Sequence, residues 1–283
     1  MFIISAGLQK SGSAWIYQIT DDLLQKTGHT PARELKVRYG LEGVLKRHNC
    51  VIPQLTPKAL ALFDKLAQRE GAFVVKTHSS PPALLGEMMA QPKGPKSTLI
   101  YRDPRDVAIS ALEHGQRQRN LGHDHLPFAQ IRTLPEALFA CRHWLRHVYL
   151  PWANLRGGFC VAYEMLLEDT LNVTRSLAHY LEVDASDDLI QSVIDPLQAA
   201  EIKPGSAEAS RLHLNKAKAH RYRALMTEEE QALAVKVLGP WIELMGYDPR
   251  IQSTGDPMGV SAHIQAMTAL PTSDEATPLA KSA

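Results

Sequence analysis

The feature that most constrains this chain is its opening passage. An apolar run, FIISA, leads through GLQKSGSAW, residues 7–15, into the helix-like WIYQITDDLL. An unbroken apolar run closed by glycine suits a strand buried on both faces, as in a parallel sheet. Trp15, Ile16, Ile19 and Leu23 then recur at helical spacing, predicting a helix from about Ser13 to Lys26. A glycine-bearing turn between strand and helix presents backbone N–H groups to a phosphate. The ATP/GTP loop places its lysine after the second glycine, as G-x-x-x-x-G-K-[ST]. Here Lys10 comes two residues before Gly12, and Ser13 follows at once. The turn predicts a phosphate-bearing ligand held in a different manner.

The rest of the chain repeats the strand–helix alternation. AFVVKTH (72–78), STLIYRDP (97–104) and GFCVAY (158–163) read as buried strands, the first two turning polar at their C-terminal ends. Helices are predicted from Pro57 to about Arg69, from Asp103-Pro104 onward, from Pro135 to about Trp152, at 170–181, at 186–195 and at 227–245. Asp103 is the expected N-cap and Pro104 the first helical residue. Residues 30–55 carry no clear period. Residues 203–223 are polar and basic, and read equally as a lid and as a solvated loop. From Pro249 the composition shifts to Pro, Ser, Thr, Gly and Ala, which reads as a tail without fixed structure, with one short helix near 260–269. The expected architecture is α/β: a single domain, residues 1–248, with a central mostly parallel sheet flanked by helices, then the tail 249–283.

Composition narrows the function classes. The chain has 283 residues, 45% apolar and 22% charged, with a formal net charge of +1. That charge argues against a broad nucleic-acid or membrane footprint. No apolar run is long enough to span a bilayer. No basic-plus-apolar leader precedes Phe2, so the expected location is cytoplasmic. Cys50, Cys141 and Cys160 have no metal-ligand spacing and are expected as buried, reduced thiols. No acidic cluster for a metal is evident, and no metal is expected.

Lys10, His78 and Arg102 all fall where strands end. In an open parallel sheet, ligands bind outside the carboxyl ends of the strands. The sequence around these residues resembles a known family. GLQKSGSAW is similar to a PKSGTTW-type loop, VVKTHSSPP to a KTHLPP segment, YRDPRDVAIS to an R-[NDH]-P-[KR]-D-x-x-x-S element, and VAYEMLLED to a RYEDLLED segment. These motifs, in this order, are those of sulfotransferases that use 3′-phosphoadenosine 5′-phosphosulfate (PAPS). The resemblance covers about residues 2–247.

The resemblance implies roles. Backbone groups of the loop Lys10, Ser11, Gly12, Ser13 and Ala14 would cradle the 5′-phosphate, with Ser13 adding its hydroxyl. Lys10 would stabilise charge on the oxygen bridging phosphate and sulfate. Trp15 would stack on adenine and Tyr163 would lie near it. Arg102 and Ser110, eight residues apart, would bind the 3′-phosphate. His78 would be the general base and Lys76 would steady the sulfonate in flight. Lys216 matches the lysine of an RKGxxGDWK-type loop, where Asn215 and Ala217 replace arginine and glycine. Gln9 and Ala14 also depart from the family loop. Of the family's dimerisation motif only Thr227 is kept, so the oligomeric state stays open.

More ordinary readings stand beside these. Trp15 at helical spacing suits a core residue, and Tyr163 suits a buried tyrosine. Arg102 can pair locally with Asp103 or Asp106. The expected reaction is sulfonate transfer to a hydroxyl or amine of a small-molecule or glycan acceptor, releasing 3′-phosphoadenosine 5′-phosphate (PAP). The alternatives are a P-loop kinase or other phosphotransferase, and a non-catalytic nucleotide-binding protein. The stretch GQRQRNLGHDHLPF, with its basic side chains, suits a polar or anionic acceptor and equally a solvated surface.

Overall fold

The computed structural model of this protein describes residues 1–197 and 218–269. Five parallel strands form one sheet: β1 (Phe2–Gly7), β2 (Val51–Ile52), β3 (Phe73–Thr77), β4 (Lys96–Tyr101) and β5 (Phe159–Ala162), in the order β2-β3-β1-β4-β5. The chain leaves β1 for β3 on one side and later returns to place β4 on the other. The winding direction therefore reverses at β1, the position at which open α/β sheets form their ligand crevice.

Alternation along the strands sets the two faces. Ile3, Val74, Ile100 and Val161 point to one face, where they join residues of α1 (Ser13–Lys26), α9 (Thr170–Leu181) and α10 (Asp187–Ile194) in a common core. Phe2 and Phe73, paired in register, point to the other and meet Phe63 of α3 (Pro57–Glu70) with ring centroids 5.8 and 6.1 Å away. Apolar contacts on both sides explain why these strands read as continuous hydrophobic runs.

The expected α/β class with a parallel sheet is present, and the helices begin within a residue or two of their predicted positions. Three elements lacked a sequence signal: α2 (Ala32–Arg38), the two-residue β2, and α4 (Ala83–Met89). The predicted helix 135–152 is α6 (Leu134–Trp144), a π-helical turn (Leu145–Tyr149) and α7 (Leu150–Ala153) in succession. Cys50 and Cys141 are buried, but Cys160 is exposed, a correction that follows from its place on the edge strand β5.

The described residues fall into two compact units, one within Met1–Asp103 and Arg142–Ala219, the other within Pro104–Cys141 and His220–Ala283. The sheet lies in the first. The second is built on α5 (Pro104–Asn120), α11 (Tyr222–Leu225), α12 (Glu228–Leu244) and α13 (Val260–Ala269). The short helix expected near 260–269 is α13, and the segment leading into it is hydrogen-bonded within this unit: Thr254 N–H donates to Arg223 O, Gln252 N–H to Gln231 Oε1, and Val260 N–H to Glu230. Among the described residues no helix is long and apolar enough to cross a membrane.

Candidate active site

The phosphate-type loop joins the C-terminal end of β1 to α1. Two left-handed residues turn it, Lys10 with φ 67° and Gly12 with φ 86°. Such a sequence of backbone conformations draws successive N–H groups together into an anion-binding concavity. Gly12 is the N-cap and offers no side-chain hydrogen bond, so the first turn of α1 is not capped from within. Glycine is required there twice over. A Cβ at Gly12 would lie 2.5 Å from Tyr163 Cδ2, and the positive φ strains any other residue.

Ser11 holds the loop down rather than facing a ligand. It is fully buried, and its hydroxyl donates to Leu8 O at 2.7 Å, with Ile100 O at 3.2 Å. Ser13 and Ala14 are also buried, at 5% exposure each, while Lys10 is half-buried.

His78 follows β3, the neighbour of β1. Its Nδ1 lies 2.7 Å from Gly7 O, the last residue of β1. A carbonyl only accepts, so Nδ1 carries the proton and the lone pair of the neutral ring is on Nε2. The segment after His78 is pinned from several sides. Trp152 Nε1 donates to Ser79 O at 2.8 Å, Leu55 N–H donates to Ser79 Oγ at 3.3 Å, and the Ser80 hydroxyl donates to His147 O in the π-helical turn. None of these supports was legible in the sequence, because each joins residues far apart along the chain.

Lys76 lies on β3, two residues before His78, and is only 3% exposed. Burial, with the Arg47 guanidinium as a second cause, pushes its ammonium down to about 7. Arg47 is itself left-handed, with φ 59°, in the hairpin closed by Lys46 and Val51. Val51 in turn pairs with Lys76 in register. Two cations are thus brought near one another, and among the described residues no carboxylate forms an ion pair with either. An anion is the natural complement of such a place.

On the other side of β1, β4 ends at Tyr101 and delivers Arg102. Its guanidinium is buried and lies 4.4 Å from the centroid of the Tyr163 ring, and Nη2 donates to Lys218 O at 2.6 Å. Tyr163 is therefore a shared support, touching the Gly12 turn and Arg102 at once. Trp15 meets it edge-on, with centroids 6.1 Å apart. Trp15 and Tyr163 are buried beneath the loop, at 2% and 4% exposure. Glu164 accepts the Asp103 N–H at 3.1 Å.

Lys10, His78 and Arg102 thus leave the same edge of the sheet from three adjacent strands, β1, β3 and β4. Neighbouring strands lie about 4.8 Å apart, so their ends open on one small region. Ser110, buried on α5, belongs to the second unit and is placed there by its helix. Lys216 and most of the 203–223 loop lie outside the described residues. Among the described residues no cluster of His, Cys, Asp or Glu is arranged to hold a metal ion.

The fold is an open parallel α/β sheet with a phosphate-type loop at its switch point. A family model for the sulfotransferase domain matches residues 2–246, and the chain belongs to that family. The match runs through both compact units. Luciferin sulfotransferase of Photinus pyralis is 24% identical over 217 residues, or 72% of this chain. The chain spans 57% of the length of that curated relative. Among solved structures, retinol dehydratase with androsterone and the inactive cofactor PAP shares the fold with a TM-score of 0.54 at 18% identity, covering 88% of this chain and 82% of that one. Mouse sulfotransferase SULT7A1 complexed with PAP does so with a TM-score of 0.56 at 14% identity, covering 86% and 84%.

Proposed function

We propose that this protein transfers a sulfonate group from PAPS to a hydroxyl or amine of a small-molecule or glycan acceptor and releases PAP. The observation that carries the reading is the bond from His78 Nδ1 to Gly7 O. With Nδ1 so bonded, the lone pair of the neutral ring is on Nε2, which supports His78 as the base of a sulfotransferase domain. The solved relatives complexed with PAP, and with androsterone or retinol as well, support the donor and the acceptor class.

The donor fits the residues at the strand ends. The loop from Lys10 to Ala14 takes the 5′-phosphate on its N–H groups and the Ser13 hydroxyl. Arg102 suits the 3′-phosphate, because a guanidinium matches phosphate geometry and Tyr163 holds its plane. Ser110 and Lys216 join it by resemblance alone. Trp15 and Tyr163, buried here, reach adenine only by resemblance.

The chemistry then divides among three side chains. His78 Nε2 accepts the acceptor proton as oxygen or nitrogen attacks sulfur. Lys10 neutralises charge on the departing phosphate oxygen. Lys76, near neutrality in the free protein, regains its proton as an anion arrives beside it, and so is charged when charge is needed.

The test is release of PAP from PAPS across a panel of alcohols, phenols, amines and glycans. The wild-type protein is expected to turn over with at least one class. His78→Ala is expected to lose about 10²–10⁴-fold in rate while binding PAP within about threefold of wild type. Phosphoryl transfer from Mg²⁺-ATP without sulfonate transfer would replace this reading with the kinase. Normal turnover by His78→Ala would remove His78 as the base.

A further inference from the structure

The segment between α1 and α3 carries cations to which the proposed reaction assigns no role. They fall into two groups. Arg33 and Arg38, on α2, are matched by carboxylates: Arg33 Nη1 lies 2.6 Å from Asp21 Oδ2, and Arg38 Nη1 lies 2.7 Å from Glu70 Oε2. Lys36, Lys46 and Arg47 form no ion pair with a carboxylate among the described residues. Lys36 Nζ donates instead to Arg47 O at 3.3 Å, and Lys46 Nζ to Glu42 O at 2.9 Å. The paired arginines fasten α2 to its neighbours, whereas the other three cations gather at the hairpin turn of residues 47–50.

That turn is fastened to the strand that precedes the base. Lys46 and Val51 close it with two backbone bonds, at 2.7 and 2.8 Å. Cys50 O accepts the Lys76 N–H at 3.2 Å, and Val51 and Ile52 pair in register with Lys76 and Thr77. The segment runs on to Leu55, whose N–H donates to Ser79 Oγ, one residue past His78. Arg47 is exposed and Lys76 is buried. Burial, and after it the Arg47 guanidinium, pushes Lys76 down to about 7, so the two charges are close. Cationic charge thus runs from solvent at Arg47 to the interior at Lys76. Asn49, in the same turn, is 8% exposed, and its Oδ1 has no hydrogen-bond partner among the described residues. A buried amide oxygen without a partner is uncommon, and a hydroxyl or N–H of a bound ligand would satisfy it.

The strand order says which substrate this charge serves. In β2-β3-β1-β4-β5 the proposed donor residues Lys10 and Arg102 follow β1 and β4, whereas the turn precedes β2, on the opposite side of the strand that carries His78. A guanidinium presents a planar fork that matches a carboxylate, phosphate or sulfate group. We propose that Arg47, supported by Lys36, is a specificity-determining residue that binds an anionic group of the acceptor, so that the substrate is a hydroxyl or amine compound bearing a carboxylate, phosphate or sulfate. The proposal rests on the sulfonate-transfer reading and narrows its acceptor class.

The experiment follows PAP release from PAPS with acceptors in matched pairs: 4-hydroxybenzoate and 4-aminobenzoate each with its methyl ester, and glucuronate with glucose. Full-length wild type, Arg47→Asn and Arg47→Lys are compared. Asparagine tolerates the left-handed backbone at position 47, φ 59°, so Arg47→Asn removes the charge without straining the turn. Wild type is expected to use the anionic member of at least one pair with a kcat/KM about tenfold or more above its neutral partner, the size of one charge-assisted contact. Arg47→Asn is expected to erase that preference, chiefly by raising KM for the anionic acceptor, and to leave the neutral acceptor and the KM for PAPS nearly unchanged. Arg47→Lys keeps the charge and is expected to recover part of the loss. Equal use of both members by wild type, an equal loss on both in Arg47→Asn, a raised KM for PAPS in that variant, or no recovery in Arg47→Lys would overturn the inference and leave the transferase reading standing. Turnover of no acceptor by wild type, here or in the wider panel of the proposed function, would remove that reading and the inference with it.

Discussion

The strand ends of the first unit and the α5 face of the second are held in opposite ways. At the strand ends the supports are neutral and short: a glycine against a tyrosine ring, a serine hydroxyl on two carbonyls, a histidine on a strand carbonyl. Lys76, buried near the Arg47 guanidinium, forms no ion pair with a carboxylate among the described residues. Along α5 the reverse holds. Asp106, Glu113, Arg105 and Arg221 are all buried and bonded to one another's neighbours. A site meant to receive an anion leaves a cation such as Lys76 without a carboxylate, whereas a scaffold neutralises its own.

The largest effect should come from breaking the neutral support. Gly12→Ala forces a Cβ into the Tyr163 ring at a backbone angle alanine avoids. It is expected to cost about 1–3 kcal/mol of stability in chemical denaturation and to abolish measurable PAP binding. Full PAP affinity in that variant would show that the turn is not the cradle.

A smaller, pH-dependent effect should come from the uncompensated cation. The folded chain holds Lys76 near 7 against 10.5 for the free side chain. Below about pH 7 the lysine is protonated in both states, and the full cost of burying the charge opposes folding. Between about pH 7 and 10.5 the unfolded chain binds more protons, so stability rises with pH. Lys76→Met is expected to be more stable at neutral pH by up to a few kcal/mol and to lose that rise. In the wild type, kcat/KM for PAPS is expected to fall as pH rises through about 7, as the free protein loses the Lys76 charge. A variant with unchanged stability across this window would mean that the ammonium is already matched by a partner.

The contrast also explains what the sequence disclosed. Lys10, Gly12, Lys76, His78 and Arg102 stand in short segments whose local pattern, an apolar run ending in a polar residue, is the strand end itself. The sheet and most helices follow from the same patterns. Glu113, Arg221 and His263 stand on separate elements, 108 and 150 residues from their common partner. No local period reports such a meeting, and each reads alone as a surface charge. β2 escaped because two residues carry no alternation. The helix near 260–269 was legible within the segment 249–269, but the polar bonds that tie the segment to α5 and α12 left no local signal. Trp15 reads from its helical spacing as a core residue and Tyr163 equally as a buried tyrosine, and both are buried.

The central claim is a site for a 3′-phosphorylated nucleotide at the ends of β1, β3 and β4. Thermal unfolding of the full chain with PAP, AMP and Mg²⁺-ATP tests it most directly. Ligand at about 100 times its dissociation constant stabilises a fold by about 2.7 kcal/mol, several degrees for a chain of this length. The account predicts that shift with PAP and little with AMP or Mg²⁺-ATP. A shift with Mg²⁺-ATP alone, or with none of the three, would contradict it.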